Sequence, residues 1–341
     1  MSAHTRSLFL AFISLFLLAF PQALIAEEYS LPLGIPELII PDDNPVTPEK
    51  VALGRKLYFD KRLSLDNTVS CATCHDPEKG FADAAPVSTG IKGQKGRRSA
   101  PTVLNSALYD FQFWDGRALT LEEQAKQPII NPIEMGMPSH DALVEKLKGI
   151  EEYRQDFQKT FGEEITIDNI VRAIASFERT LLAGNSPFDQ FMYGGDEKAI
   201  SNLAKKGLGV FRGKGRCVTC HEIVGSFALL TDSKFHNIGV GMDKTEPDLG
   251  RYEVTKEDKD KGAFKTPTLR NIALTAPYMH DGSEPTLEEV VDLYDRGGIP
   301  NAHLSGEIRP LKLTEKEKKA LVEFLNTLTS SDLEQLVESI K

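Results

Sequence analysis

The stretches Cys71-Ala72-Thr73-Cys74-His75 and Cys217-Val218-Thr219-Cys220-His221 decide how this chain folds, and between them they use all 4 of its cysteines. Each CxxCH run offers two thiols that can add across the vinyl groups of one haem, leaving the following histidine to bind the iron. A zinc site would need four ligands per ion, and no second close Cys/His pair stands beside either run in the sequence. A redox CxxC requires no histidine after it, and both runs have one. The reading is therefore two covalently bound haems of the c type. With no cysteine left over there is no disulfide, so stability must come from packing and from the haems themselves.

The N-terminus has the shape of an export leader. Arg6 precedes an apolar run from Leu8 to Phe20, followed by Pro21, small residues ending at Ala26, and then Glu27-Glu28. That order of basic start, short apolar segment and small residue before the cut is a cleaved signal peptide over residues 1–26. A retained anchor would need a longer uninterrupted apolar span of ~20 residues. No other stretch is apolar enough to cross a bilayer, so the mature chain is expected in a periplasm, where c-type haem is attached, with no membrane span. The formal charge of the 341-residue chain is -10. Such a surface disfavours nucleic acid and anionic membranes, and suits a small neutral substrate or a basic protein partner.

The two motifs begin at positions 71 and 217, farther apart than one small haem domain requires, so each is expected to nucleate its own helical domain. Thr47-Pro48-Glu49-Lys50 opens a helix, Thr120-Leu121-Glu122-Glu123 reads as a capping box, and Thr314-Glu315-Lys316-Glu317 begins another helix. Ile167, Ile170, Val171, Ile174 and Phe177 recur at helical spacing between Ile165 and Leu182. Tyr193-Gly194-Gly195-Asp196 reads as a boundary, and Gly239 to Asp260 as a long polar loop. Strand signals are scarce. The expected fold is all-α: an N-terminal domain over residues 27–193, a C-terminal domain over 194–330 and a helical tail over 331–341. Beyond the haem motifs the halves do not read as close repeats.

Between the motifs stand Phe111-Gln112-Phe113-Trp114-Asp115-Gly116-Arg117, then Gln124, Pro128 and Asn131-Pro132-Ile133-Glu134-Met135-Gly136-Met137. Together with Leu53-Gly54-Arg55-Lys56-Leu57, Ala100-Pro101-Thr102, Phe264-Lys265-Thr266-Pro267-Thr268-Leu269-Arg270-Asn271 and Ala276-Pro277-Tyr278-Met279-His280-Asp281-Gly282, they resemble the bacterial diheme cytochrome c peroxidase and MauG superfamily. The resemblance spans nearly all of the mature chain and implies two cytochrome c-like domains. It also implies hydrogen peroxide as substrate, with Glu134 as the acid–base group, Gln124 and Pro128 shaping its pocket, and Trp114 relaying electrons between the haems. Without it, Glu134 reads as a solvated loop acid and Trp114, the chain's 1 tryptophan, as a large core residue.

Two departures from the peroxidase pattern bear on the subfamily. Many diheme peroxidases close the first haem with a histidine at the position that here is Ile91, which cannot bind iron. The first haem should therefore be open without prior reduction, unless Lys92 or a methionine substitutes. Where peroxidases carry a methionine ligand for the second haem, this chain has Tyr294, the position of a tyrosine ligand in MauG-type enzymes; on spacing alone Tyr294 continues the packed face of Leu287, Val290 and Val291. A phenolate is a hard donor that favours oxidised iron. His236 and His280 match family segments near the second haem, whereas His140 and His303 read as surface residues. The resemblance also implies one calcium ion on Ser99 and the carbonyls of Thr275 and Pro277, with Ser99 standing where the family has an asparagine.

The functional expectation is a MauG-like oxidoreductase. It uses hydrogen peroxide at the Cys71/Cys74/His75 haem, with the Cys217/Cys220/His221/Tyr294 haem as redox partner, to oxidise an external protein substrate. The alternatives are a cytochrome c peroxidase drawing electrons from a small cytochrome or copper protein, and a non-catalytic diheme electron-transfer cytochrome.

Overall fold

The computed structural model describes residues 31–340, so the expected leader over residues 1–26 lies outside the described residues. Twelve helices are described: α1 Pro48–Phe59, α2 Cys71–Cys74, α3 Leu121–Ile130, α4 His140–Lys148, α5 Glu151–Phe161, α6 Ile167–Glu178, α7 Pro187–Met192, α8 Asn202–Arg212, α9 Tyr252–Thr255, α10 Leu287–Asp295, α11 Glu315–Asn326 and α12 Leu333–Ser339. The β structure is one antiparallel pair, β1 Phe235–His236 with β2 Phe264–Lys265, in which Phe235 faces Lys265 and His236 faces Phe264. The architecture is all-α, and none of the described helices is long and apolar enough to cross a membrane.

The helix starts follow from their caps. Thr47 accepts from the Lys50 amide, and Thr314 forms a reciprocal box with Glu317. At Thr120 only half of the expected box exists. Its hydroxyl caps the Glu123 amide, but the Glu123 carboxylate reaches past it to the Leu119 N–H at 2.8 Å. The helix expected from Ile165 to Leu182 is shorter, because Thr166 caps it and the chain turns at Arg179. The polar loop after Gly239 holds a helical turn, α9, whose preceding Arg251 donates to the carbonyls of Asp115 and Gly116 at 2.9 Å each.

Each half is built on one close helix crossing. Gly54 of α1 lies against α6 so tightly that a Cβ there would sit 1.8 Å from the Ala173 carbonyl oxygen. In the second half Gly207 of α8 meets α11 the same way, 1.9 Å from the Ala320 carbonyl oxygen. In both cases the crossing helix leads into a CxxCH turn. The halves are thus architectural counterparts, a likeness that the residues outside the haem motifs do not advertise.

The buried cores respect the same division. One gathers Leu57, Ile91, Ile129, Met135, Phe157 and Ile174. Another gathers Phe188, Phe211, Leu230, Val291 and Phe324, so α7 already packs with the second half, ahead of Tyr193-Gly194. A third joins Tyr58, Phe81 and Phe177 to Val337 and Ile340 of the C-terminal segment. The expected tail is therefore a docked helix that returns to the first half. A fully buried ion pair, Arg270 with Asp189 at 2.8 Å, also gives hydrogen bonds to the carbonyls of Gly34 and Ala228 and ties the N-terminal arm to the second half.

Candidate functional site

The first CxxCH motif forms the short helix α2, started by Ser70, which makes a reciprocal box with Thr73. His75 follows it, and its Nδ1 bonds the carbonyls of Pro101 at 3.0 Å and Phe81 at 3.3 Å. A ring nitrogen facing two carbonyls must carry the proton, which leaves Nε2 unprotonated and free to ligate. The second motif is a single 3-10 turn, Cys217–Thr219, and His221 Nδ1 bonds the Leu230 carbonyl at 2.8 Å. Burial holds both imidazoles below the usual histidine range, which keeps them neutral.

The acid–base candidates sit on α3 and the turn after it. Gln124 and Pro128 are four residues apart and share a face. The chain then folds back so that the Met135 amide bonds the Pro128 carbonyl at 3.2 Å. That turn lays Glu134 into a half-buried place where its charge is felt at the Cys74 sulfur. Burial pushes its pKa up from the usual carboxylate range; the Arg117 charge and a hydrogen bond from Asn131 Nδ2 at 2.8 Å oppose this. Neither Asn131 nor Arg117 was singled out from the sequence, although both stand inside the motifs that mark the region.

Ile91, which stands where peroxidases have a histidine, is 2% exposed and belongs to the first core. Its amide bonds the Glu134 carbonyl at 2.9 Å, and a Cβ at Gly90 would lie 1.9 Å from the Ile133 carbonyl oxygen. The loop is thus stitched to the turn that carries the carboxylate. Lys92 is exposed.

A single cavity of about 260 Å³ is lined by Cys217, Cys220, His221, Tyr294 and Trp114. Tyr294 therefore shares a chamber with the second motif's histidine, and burial pushes its phenol well above the usual range. Trp114 is partly buried. Its indole donates to the Ser99 carbonyl at 2.9 Å, and its ring meets His280 edge-on, 6.5 Å between centroids. His280 in turn stacks on Phe264 at 3.7 Å. Ser99, Thr275 and Pro277, the expected calcium residues, line the same cavity, and the Ser99 carbonyl already accepts from Trp114. His140 and His303 are each partly exposed; His140 donates from Nε2 to the Lys126 carbonyl at 2.9 Å.

The cavity suits haem c. Its walls are largely apolar, and two buried polar atoms without a hydrogen-bond partner among the described residues, Ser106 Oγ and Arg216 Nε, belong to residues that line it. Among the described residues, the metal-like cluster is Cys220 with Asp232 and His236. It takes one cysteine of one motif, so the paired thiols of neither motif converge on a tetrahedral zinc site.

Comparison with known proteins agrees. The family model for di-haem cytochrome c peroxidase matches residues 48–198. The methylamine utilization protein MauG of Methylorubrum extorquens is 43% identical over 90% of this chain and 84% of its own length. Cytochrome c551 peroxidase of Nitrosomonas europaea is 41% identical over 83% of this chain and 82% of its own. The crystal structure of a MauG-like protein associated with microbial copper homeostasis superposes with a TM-score of 0.81 at 36% identity, covering 90% of this chain and 97% of that one. By these likenesses and by its paired haem motifs, the chain belongs to the di-haem cytochrome c peroxidase family of oxidoreductases, whose members carry two haems.

Proposed function

We propose that the chain is an exported, MauG-like enzyme that spends hydrogen peroxide on oxidising an external protein, with Tyr294 as the ligand that sets this branch. Two cytochrome c-like domains would hold one haem each, on Cys71/Cys74/His75 and Cys217/Cys220/His221. The haem iron supplies a place for peroxide to bind and be cleaved, and the residues of this chain do the rest. Glu134 takes the proton from the inner peroxide oxygen and returns it to the outer one so that water can leave. Asn131 holds the carboxylate in place, Gln124 offers a hydrogen bond on the same side, and Pro128 shapes the wall without competing as a donor. Ile91 offers no ligand atom, so the first haem would stay open to peroxide. Trp114, between the motifs in sequence, would relay electrons between the two haems when they are bound. Ser99, Thr275 and Pro277 are the calcium residues of this reading.

The observation that carries the proposal is Tyr294 in the chamber of His221, in a chain 43% identical to a MauG. A phenolate on the second iron would lower its potential, making it a poor acceptor from a small cytochrome and a good store of oxidising equivalents. The second reading, a cytochrome c peroxidase, is favoured by the Nitrosomonas relative.

The test is steady-state oxidation of a reduced small cytochrome c by peroxide, with wild type and Tyr294→Met compared. The MauG-like reading expects slow turnover by wild type and a gain in the variant, with the second haem's potential raised. Wild-type turnover equal to or above the variant's would put the peroxidase reading ahead.

A further inference from the structure

In the wall of the second-haem cavity stands a cation without a carboxylate. Lys265 lines this cavity, and no ion pair to it occurs among the described residues. Its backbone N–H bonds the Trp114 carbonyl at 2.7 Å, and its ammonium lies over the ring of Tyr109, 5.0 Å from the centroid. Three residues before Tyr109 is Ser106, whose carbonyl accepts from the Tyr109 amide at 3.2 Å; it is 7% exposed and its hydroxyl is orphaned. A desolvated ammonium and a buried hydroxyl are each costly unless an acceptor reaches them. Burial alone brings the Lys265 ammonium down to about 8, with Asp110 acting only at a distance.

Haem chemistry says which acceptor fits. The thioether bonds to Cys217 and Cys220 fix one edge of the macrocycle, and the two propionates leave from the opposite edge. Arg216 precedes Cys217, pairs with Glu307 and so belongs to the thioether edge. Lys265 and Ser106 line the same cavity from two other segments of the chain, outside that turn.

We propose that Lys265 and Ser106 form the seat of a propionate of the second haem, with Lys265 as its counter-charge. This rests on haem attachment at Cys217 and Cys220. It makes Lys265 a positioning residue that sets the second haem's potential. Its neighbour in space, Trp114, is tied to it through the Lys265 amide, so the seat and the inter-haem segment are one mechanical unit.

The experiment compares wild type, Lys265→Gln and Lys265→Arg as holoproteins, by mass for haem content, spectroelectrochemistry for the two potentials, and resonance Raman for the propionate bending modes. Removing the charge stabilises ferric iron, so Lys265→Gln should raise the second haem's ferric-to-ferrous ratio at fixed potential about tenfold, equivalent to about 59 mV for one electron. The propionate bands should shift, the first haem should move less, and Lys265→Arg should stay near wild type. Loss of the second haem in Lys265→Gln alone also supports the seat. An unchanged second potential in Lys265→Gln overturns the proposal, and so does an equal displacement or haem loss in Lys265→Arg. A wild type without haem at Cys217 and Cys220 overturns the functional reading as well, and the mass measurement separates that case.

Discussion

A carboxylate that is to shuttle a proton between two oxygens must be ionised when peroxide arrives and acidic enough to give the proton back. Glu134 meets this through opposing influences. Burial raises its pKa, while Arg117 and Asn131 hold the rise in check. The pH dependence follows in sign. Below the raised pKa the group is neutral and cannot take the inner proton, so the single-turnover rate with peroxide should fall as pH drops through a value above the ordinary ~4.3 of glutamate. Glu134→Gln should slow the reaction by about 10²–10⁴-fold and abolish that acid limb, with both haems still attached. A loss below about threefold, or an unchanged limb, would remove Glu134 from the chemistry. Glu134 is legible as a residue from its place in the motif, but its acidity is not. The acidity depends on burial and on Arg117, 17 residues earlier in the chain, which the fold and not sequence spacing brings within reach; Asn131, three residues before Glu134, is the local part.

At the scale of elements, caps and periodicity mark most helices in advance, and their ends shift by a few residues where a side chain such as Thr166 fixes the start. The crossings are less visible. A glycine inside a helix ordinarily signals weakness, and nothing in the sequence distinguishes Gly207 from Gly209 two residues later. The packing does: a Cβ at Gly207 meets the Ala320 carbonyl oxygen at 1.9 Å, whereas Gly209 has nothing within 4 Å. The same substitution should therefore change sign within α8. Gly209→Ala should stabilise the holoprotein by about 0.5–1 kcal/mol through helix propensity. Gly207→Ala gains the same propensity but must push α11 away, a strain of about 1–3 kcal/mol that leaves a net loss. Denaturant unfolding of the two variants checks this, and equal midpoints would mean that the crossing has room to relax.

For the whole molecule, what matters is that its connectivity runs against its order in sequence. The last helix follows the second half along the chain but packs on the first. Val337 and Ile340 are 8% and 7% exposed in a core with Tyr58, Phe81 and Phe177, and the Ile340 carbonyl accepts from Arg55 Nε at 2.6 Å. From sequence this segment reads as a tail, because a short amphipathic run does not say which surface it will cover. Its removal after Asp332 should therefore weaken the half that is distant in sequence. Fully burying an aliphatic side chain is worth about 1.5–3 kcal/mol, so losing both should cost the first half several kcal/mol as an upper bound, since the unfolded chain already buries part of that surface. Hydrogen exchange should report faster opening in α1 and α6 while α8 and α11 keep most of their protection. If protection were instead lost first in α8 and α11, α12 would belong energetically to the second half. The first haem's surroundings would then owe nothing to the C-terminus, and the third core would be a surface contact only.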